Sequence, residues 1–263
     1  MKASMFVLVL LAVFGVGCKK DSATSAPADD TTEPTPDAAK DSEAEIQEKE
    51  MVAAQPEPPR GNLLTNPSFE EGRTGWQRKE KSPYWVSFEI EEGTSQSGTH
   101  AVELELESTE GEKLSSRVAG IFQEVTVPEF PARIGGSYYV KEFEKSDPRI
   151  EVFLQVVVIV WAKKDNFPNY QIRYYLAGQP YVTAPIGNAK IEVLGGEQPP
   201  KDTWTKFDIP VRDDFERLWG EVPKDYERVE VFFELRWDKM TPDGSVEAEV
   251  LYDDLYIEPY AAP

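Results

Sequence analysis

From Trp85 onward, apolar and polar residues alternate in short runs rich in Val, Ile, Tyr, Phe and Trp, broken by Gly, Pro, Asn and Asp. A period of two marks strands with one buried face. The pattern predicts strands over Trp85–Ile90, Ala101–Glu107, Gly120–Val127, Ser137–Phe143, Ile150–Ala162, Tyr170–Leu176, Lys190–Leu194, Thr205–Pro210, Arg228–Asp238 and Ala248–Pro259. In one of them Val231, Phe233, Leu235 and Trp237 share a side, opposite Glu230, Phe232, Glu234 and Arg236. Ile150–Trp161 is almost continuously apolar, which places it centrally with both faces covered. It pairs as a hairpin with Tyr170–Leu176 across the turn residues Asp165, Asn166 and Pro168. Helical periodicity is confined to Asp213–Trp219. Many evenly spaced strands with one short helix predict an all-β protein, an antiparallel β-sandwich.

The pattern changes before Arg60. Residues 19–60 are Ala, Pro, Thr, Ser, Asp and Glu with almost no large apolar side chain, too little to offset chain entropy. The expected organisation is an export signal over 1–17, a disordered tether over 18–60 and one sandwich domain over 61–263. The chain carries a net charge of −20, and residues 61–263 hold 22 basic and 37 acidic side chains. With no basic run, this domain repels a phosphate backbone, and nucleic acid is not expected as a partner.

Met5–Val16 is an uninterrupted apolar run behind Lys2, shorter than the roughly 20 residues of a bilayer span. The only cysteine, Cys18, closes it. An exported chain without disulfides that keeps a cysteine there resembles a bacterial lipoprotein, although Gly15 stands where that class usually carries Leu. The resemblance implies cleavage before Cys18, lipidation of its thiol and attachment to a membrane of the cell envelope. With Lys19 rather than Asp next in line, it implies the outer membrane or cell surface. An ordinary signal peptide cut nearby is the alternative.

The domain opens with NLLTNPSFEEGRTGW at 62–76. This resembles the start of galactose-binding-like jelly rolls, in particular the carbohydrate-binding modules attached to cellulases and xylanases. Further landmarks of that family follow in the same order: Ser97-Gly98-Thr99-His100-Ala101-Val102-Glu103-Leu104, Ile121-Phe122-Gln123-Glu124-Val125, Gly136-Ser137-Tyr138-Tyr139-Val140, Trp204-Thr205-Lys206-Phe207 and Leu251-Tyr252-Asp253-Asp254-Leu255-Tyr256-Ile257. This chain has extra length around 177–203 and 213–228. The resemblance implies a jelly roll whose first and last segments lie side by side.

That adjacency brings Glu70 toward Asp253. Two carboxylates at close range repel unless something positive lies between them, and calcium, a hard cation taking six to eight oxygens, suits the place. The resemblance implies the same structural Ca2+, with Glu70 and Asp253 as side-chain ligands and carbonyls near Gly93 and Thr99. A carboxylate that is merely hydrogen-bonded or solvated is the alternative.

Sugar recognition uses flat rings beside hydrogen-bonding side chains. Alternation puts Tyr139 and Phe143 on an outer face, with Gln155, Trp161, Arg173, Tyr175 and Arg236 on neighbouring strands and Trp85 near the rim. The expected partner is therefore a carbohydrate or cell-envelope glycan. A protein partner in the envelope is the alternative for the same face. One histidine, His100, and one cysteine exclude Ser-His, Cys-His and His-zinc centres in their usual forms. No carboxylate pair stands out by spacing, so a non-catalytic protein is expected.

Overall fold

The computed structural model describes residues 61–261 apart from 81, 109–110, 112, 164–167 and 179–186. The expected signal, Cys18 and the tether lie outside the described residues, as does most of the turn predicted between Ile150–Ala162 and Tyr170–Leu176.

Among the described residues, eleven strands and one helix follow in the order β1 (Trp85–Val86), β2 (Glu89–Glu92), β3 (His100–Glu107), β4 (Ser116–Val125), β5 (Arg133–Lys145), β6 (Glu151–Ala162), β7 (Pro168–Gly178), β8 (Ala189–Val193), β9 (Thr205–Ile209), α1 (Val211–Trp219), β10 (Tyr226–Asp238) and β11 (Val246–Glu258). They form a six-stranded sheet, β1-β4-β10-β6-β7-β8, packed on a five-stranded sheet, β2-β3-β11-β5-β9. Pairing is antiparallel except for β1 with β4 and β7 with β8. From β3 to β6, and again from β9 to β11, each strand lies in the opposite sheet to the one before it. That winding defines a jelly-roll sandwich.

The inner faces meet in one apolar core. From the six-stranded sheet come Val156, Val158, Val231, Phe233, Leu235 and Trp237, and from the five-stranded sheet Val102, Leu104, Val140, Val250 and Tyr252. Helix α1 closes one end, with Phe215 edge-on to Phe130 at 4.8 Å. It begins two residues ahead of the predicted Asp213 and stops at Gly220, whose φ of 82° suits a left-handed cap.

The opening segment lies against the last strand. Leu63 N–H donates to Ile257 O at 2.9 Å and Leu255 N–H to Pro67 O at 3.0 Å. The Asn62 amide clamps the same strand, donating to Leu255 O and accepting from Ile257 N–H. Asn66, at a φ of 49°, turns the chain and pins its own loop through Glu71 N–H and Gly72 O. Phe69 is then driven inward at 0% exposure and stacks on Trp76, ring centres 5.2 Å apart.

Two expectations are corrected. The run Trp85–Ile90 is two strands, β1 in the six-stranded sheet and β2 in the five-stranded one, because the chain crosses between sheets at Ser87 and Phe88. In β5, Glu142 faces Glu249 while Val140 faces Val250, so Lys141 is an extra residue. This bulge inverts the alternation. Phe143, expected outside, is a core residue at 8% exposure.

Candidate functional site

The outer face of the six-stranded sheet gathers six of the eight residues expected to meet a ligand. The cross-strand row Gly120–Glu234–Gln155–Tyr175 runs over β4, β10, β6 and β7. One row toward the carboxyl end of β10 lie Arg236 and Phe153, and one row the other way Phe122, Phe232, Val157 and Arg173. Trp85 borders the face from β1, and Trp161 ends it beside Arg228. Tyr139 is elsewhere: it lies on the outside of the five-stranded sheet, tilted against Trp204 at 5.5 Å, its hydroxyl 3.3 Å from Asp202. Phe143 lies in the core.

The face is polar in chemistry yet nearly closed to water. Gln155 is 0% exposed and Glu234 and Tyr175 are each 6% exposed. Gln155 Nε2 donates to Glu234 Oε2, whereas Gln155 Oε1 is buried with no hydrogen-bond partner. Burial pushes the Glu234 carboxyl up, opposed by the charges of Arg236 and Arg173. The Arg236 guanidinium forks onto Asp238 at 2.9–3.1 Å. Arg173 donates to Gln171 Oε1 at 3.3 Å, and the Tyr175 ring meets Phe153 edge-on at 5.3 Å.

Glu234 belongs to this face, as its outward position predicts, and so do Lys79 and Phe232, which were not among the expected ligand residues. The Lys79 ammonium lies 4.1 Å from the centre of the Phe122 ring and 5.0 Å from that of Phe232. It also reaches the buried Glu230 at 3.3 Å. Alternation along Glu230–Trp237 marks Glu234 and Phe232 as outward. Nothing local to Lys79 marks it, since its partners are 43 and more residues away.

The residues expected to hold calcium do converge, on the turn Ser95–His100. Glu70 Oε1 accepts from Thr99 N–H at 2.8 Å and His100 N–H at 2.9 Å. Glu70 Oε2 meets Thr99 Oγ1 at 2.9 Å and His100 Nδ1 at 3.1 Å. Asp253 Oδ2 accepts from Gln96 and Ser97 N–H, and Oδ1 from Asp254 N–H. The Thr99 carbonyl accepts from Gly93 N–H. Each of these oxygens accepts from at least one N–H or O–H donor, so the residues form a hydrogen-bonded clasp. Among the described residues no group of three or more His, Cys, Asp or Glu side chains is placed to hold a metal. Partial desolvation raises the Glu70 pKa, but the four donors outweigh it and bring it down to about 2. Asp253, more deeply buried, is pushed up to about 6 despite its three donors.

No family model and no curated protein matches this chain. Solved structures do. One is the module TmCBM61 in complex with beta-1,4-galactotriose, 14% identical over 76% of this chain and 99% of its own, TM-score 0.39. Another is CBM28, a non-crystalline cellulose-specific carbohydrate-binding module, 13% identical over 77% of this chain and 98% of its own, TM-score 0.40. A third is the family 11 xylanase from Neocallimastix patriciarum, 13% identical over 65% of this chain and 90% of its own, TM-score 0.35. The likeness is one of sandwich architecture, shared by binding modules and hydrolases alike.

Proposed function

We propose that this chain is a non-catalytic carbohydrate-binding lipoprotein of the bacterial cell envelope. Its ligand face is the outside of the six-stranded sheet, and its anchor is a lipidated Cys18 at the head of the tether. One observation carries the reading: Gln155 Oε1, a buried acceptor without a partner, stands in a row with the Glu234 carboxyl and the Tyr175 ring, and Trp85 borders the same face. A buried acceptor left unpaired is costly, and a sugar hydroxyl is a donor of the right kind to satisfy it. The solved modules described above bind galactotriose and cellulose, in keeping with this class of ligand.

Native electrophoresis of the chain through gels containing soluble galactan, xylan and hydroxyethyl cellulose tests the reading. Retardation by at least one polysaccharide, lost in Trp85→Ala and weakened in Tyr175→Ala, is the expected result. Migration unchanged on every polysaccharide would reject it. Incorporation of an alkynyl palmitate, abolished in Cys18→Ala, is expected for the anchor.

A second reading is a protein-interaction or structural envelope lipoprotein that keeps the sandwich without a sugar site. The closure of the face favours it, since Gln155 has no exposed surface at all. The gel experiment separates the two readings.

A further inference from the structure

We propose that Gly120 is a positioning residue that seats the Trp85 ring on the sheet, and that this seated ring, rather than Trp161, is the aromatic platform of the ligand face. The inference rests on the glycan reading above. Gly120 lies within β4, a strand paired on both sides. Glycine there weakens a sheet unless something must come close to the backbone. Its φ is not in the left-handed region, so the backbone does not call for glycine, and the reason lies in space. A Cβ on Gly120 would stand 2.9 Å from Trp85 Cζ3 and 3.1 Å from Glu234 Cγ. The six-membered part of the Trp85 indole thus lies on the bare backbone of β4, next to the Glu234 side chain.

Two further contacts fix the ring. Phe232 meets it edge-on, 6.0 Å between centres at 60°. Val118 N–H donates to Tyr84 O at 2.8 Å and holds the short strand β1 along β4. Trp85 keeps partial exposure, and among the described residues no cation lies over its ring. Trp161 differs: the Arg228 guanidinium lies 4.6 Å from its ring centre, and its Nε1 is buried without a partner. A pyranose stacking on Trp161 must first displace that cation, whereas at Trp85 it meets a ring already held beside Glu234 and the row that runs to Gln155.

A double-mutant cycle tests the assignment, using Gly120→Ala and Trp85→Phe, since Phe lacks the atoms that meet the added methyl. Two readouts are taken on the folded chain: iodide quenching of tryptophan emission, which needs no ligand, and retardation by whichever of the three polysaccharides retains the wild type. Gly120→Ala is expected to increase quenching and to weaken retention about tenfold or more, the scale on which small misplacements of a contact group act. In the Trp85→Phe background it is expected to change neither readout by more than about twofold, because the two positions are coupled. Trp161→Phe is expected to retain near-wild-type binding. Should Gly120→Ala fail to fold, Phe232→Leu replaces it: the edge contact is lost without added bulk, and the same dependence on Trp85 is expected. Equal losses with and without the Trp85 indole, or no change in either readout, overturns the proposal. A wild type retained by no polysaccharide rejects the glycan reading and the platform role with it, while quenching still reports whether Gly120 seats the ring.

Discussion

Removing the Glu70 carboxylate tests whether the clasp over Ser95–His100 is held by hydrogen bonds or by an ion. In Glu70→Ala the N–H groups of Thr99 and His100 lose their acceptor, as do the Thr99 hydroxyl and the His100 ring. Hydrogen bonds to a charged group contribute about 1.5–3 kcal/mol each when shielded. The Glu70 side chain is 32% exposed, so water takes up part of the loss and the lower end, further discounted, applies. A total of about 2 kcal/mol follows, which in a domain of this size lowers Tm by about 4–8 °C. Glu70→Gln keeps an acceptor oxygen and the shape, and about half that loss is expected.

The loss also carries a pH signature. Glu70 is held at about 2 against an ordinary 4.5, so its contribution is complete above 4.5 and disappears as pH falls toward 2. His100 is raised above 6.5 chiefly by its hydrogen bond to Glu70, so its contribution is complete below 6.5 and fades as pH rises through the raised value. The gap between wild type and Glu70→Ala is therefore expected to be widest between about pH 4.5 and 6.5 and to narrow on both sides. Urea denaturation followed by tryptophan fluorescence from pH 2.5 to 9 measures it. EDTA is expected to leave the wild-type Tm unchanged. A fall in EDTA as large as that of the mutation, or a pH-independent gap, would refute the hydrogen-bonded clasp.

Three further outcomes are expected. Phe69→Ala empties a site with 0% exposure stacked on Trp76 and is expected to cost about 3–5 kcal/mol by urea denaturation. Gln123→Ala removes an amide that donates to Thr65 O at 2.7 Å and accepts from Thr65 N–H at 3.0 Å; about 1–3 kcal/mol is expected, with faster hydrogen exchange at Leu64 and Thr65. On the outer face of the five-stranded sheet, Glu103 is raised to about 7, first by its hydrogen bond to Glu249 and then by burial, against the pull of Lys141. Its folded pKa lies above the unfolded one, so it favours the fold at low pH, and that advantage disappears as pH rises through about 7. Glu103→Gln is expected to flatten the decline in Tm between about pH 4.5 and 7, and an unaltered slope there counts against a shared proton.

The sandwich was legible because its core is written in a period of two. Val231, Phe233, Leu235 and Trp237 point inward as their spacing requires, and the meeting of the chain ends followed from the resemblance of residues 62–76 and 251–257 to one family. What alternation cannot carry is a residue that breaks it. Lys141 is ordinary in composition, yet as an extra residue in β5 it reverses the facing of everything after it, and Phe143 changes sides. The convergence of Glu70, Thr99 and Asp253 was legible as well, but the direction of their oxygens was not, because the donors are backbone N–H groups that every sequence contains.

The closed, polar face shows a different limit. Gln155, Arg173, Tyr175 and Arg236 fall on one face because they sit at matching phases of β6, β7 and β10. Other members of the face come from far away in sequence: Lys79 and Trp85 arrive from the segment that flanks β4 and lie over Phe122, Phe232 and Gly120. Within Ala119-Gly120-Ile121 the glycine reads as a weak point in a strand. Only the Trp85 ring, 35 positions earlier, shows that the missing side chain is room made for another. A site assembled this way is specified by pairs of residues rather than by a motif, which is why exchange at both members of a pair is the informative perturbation.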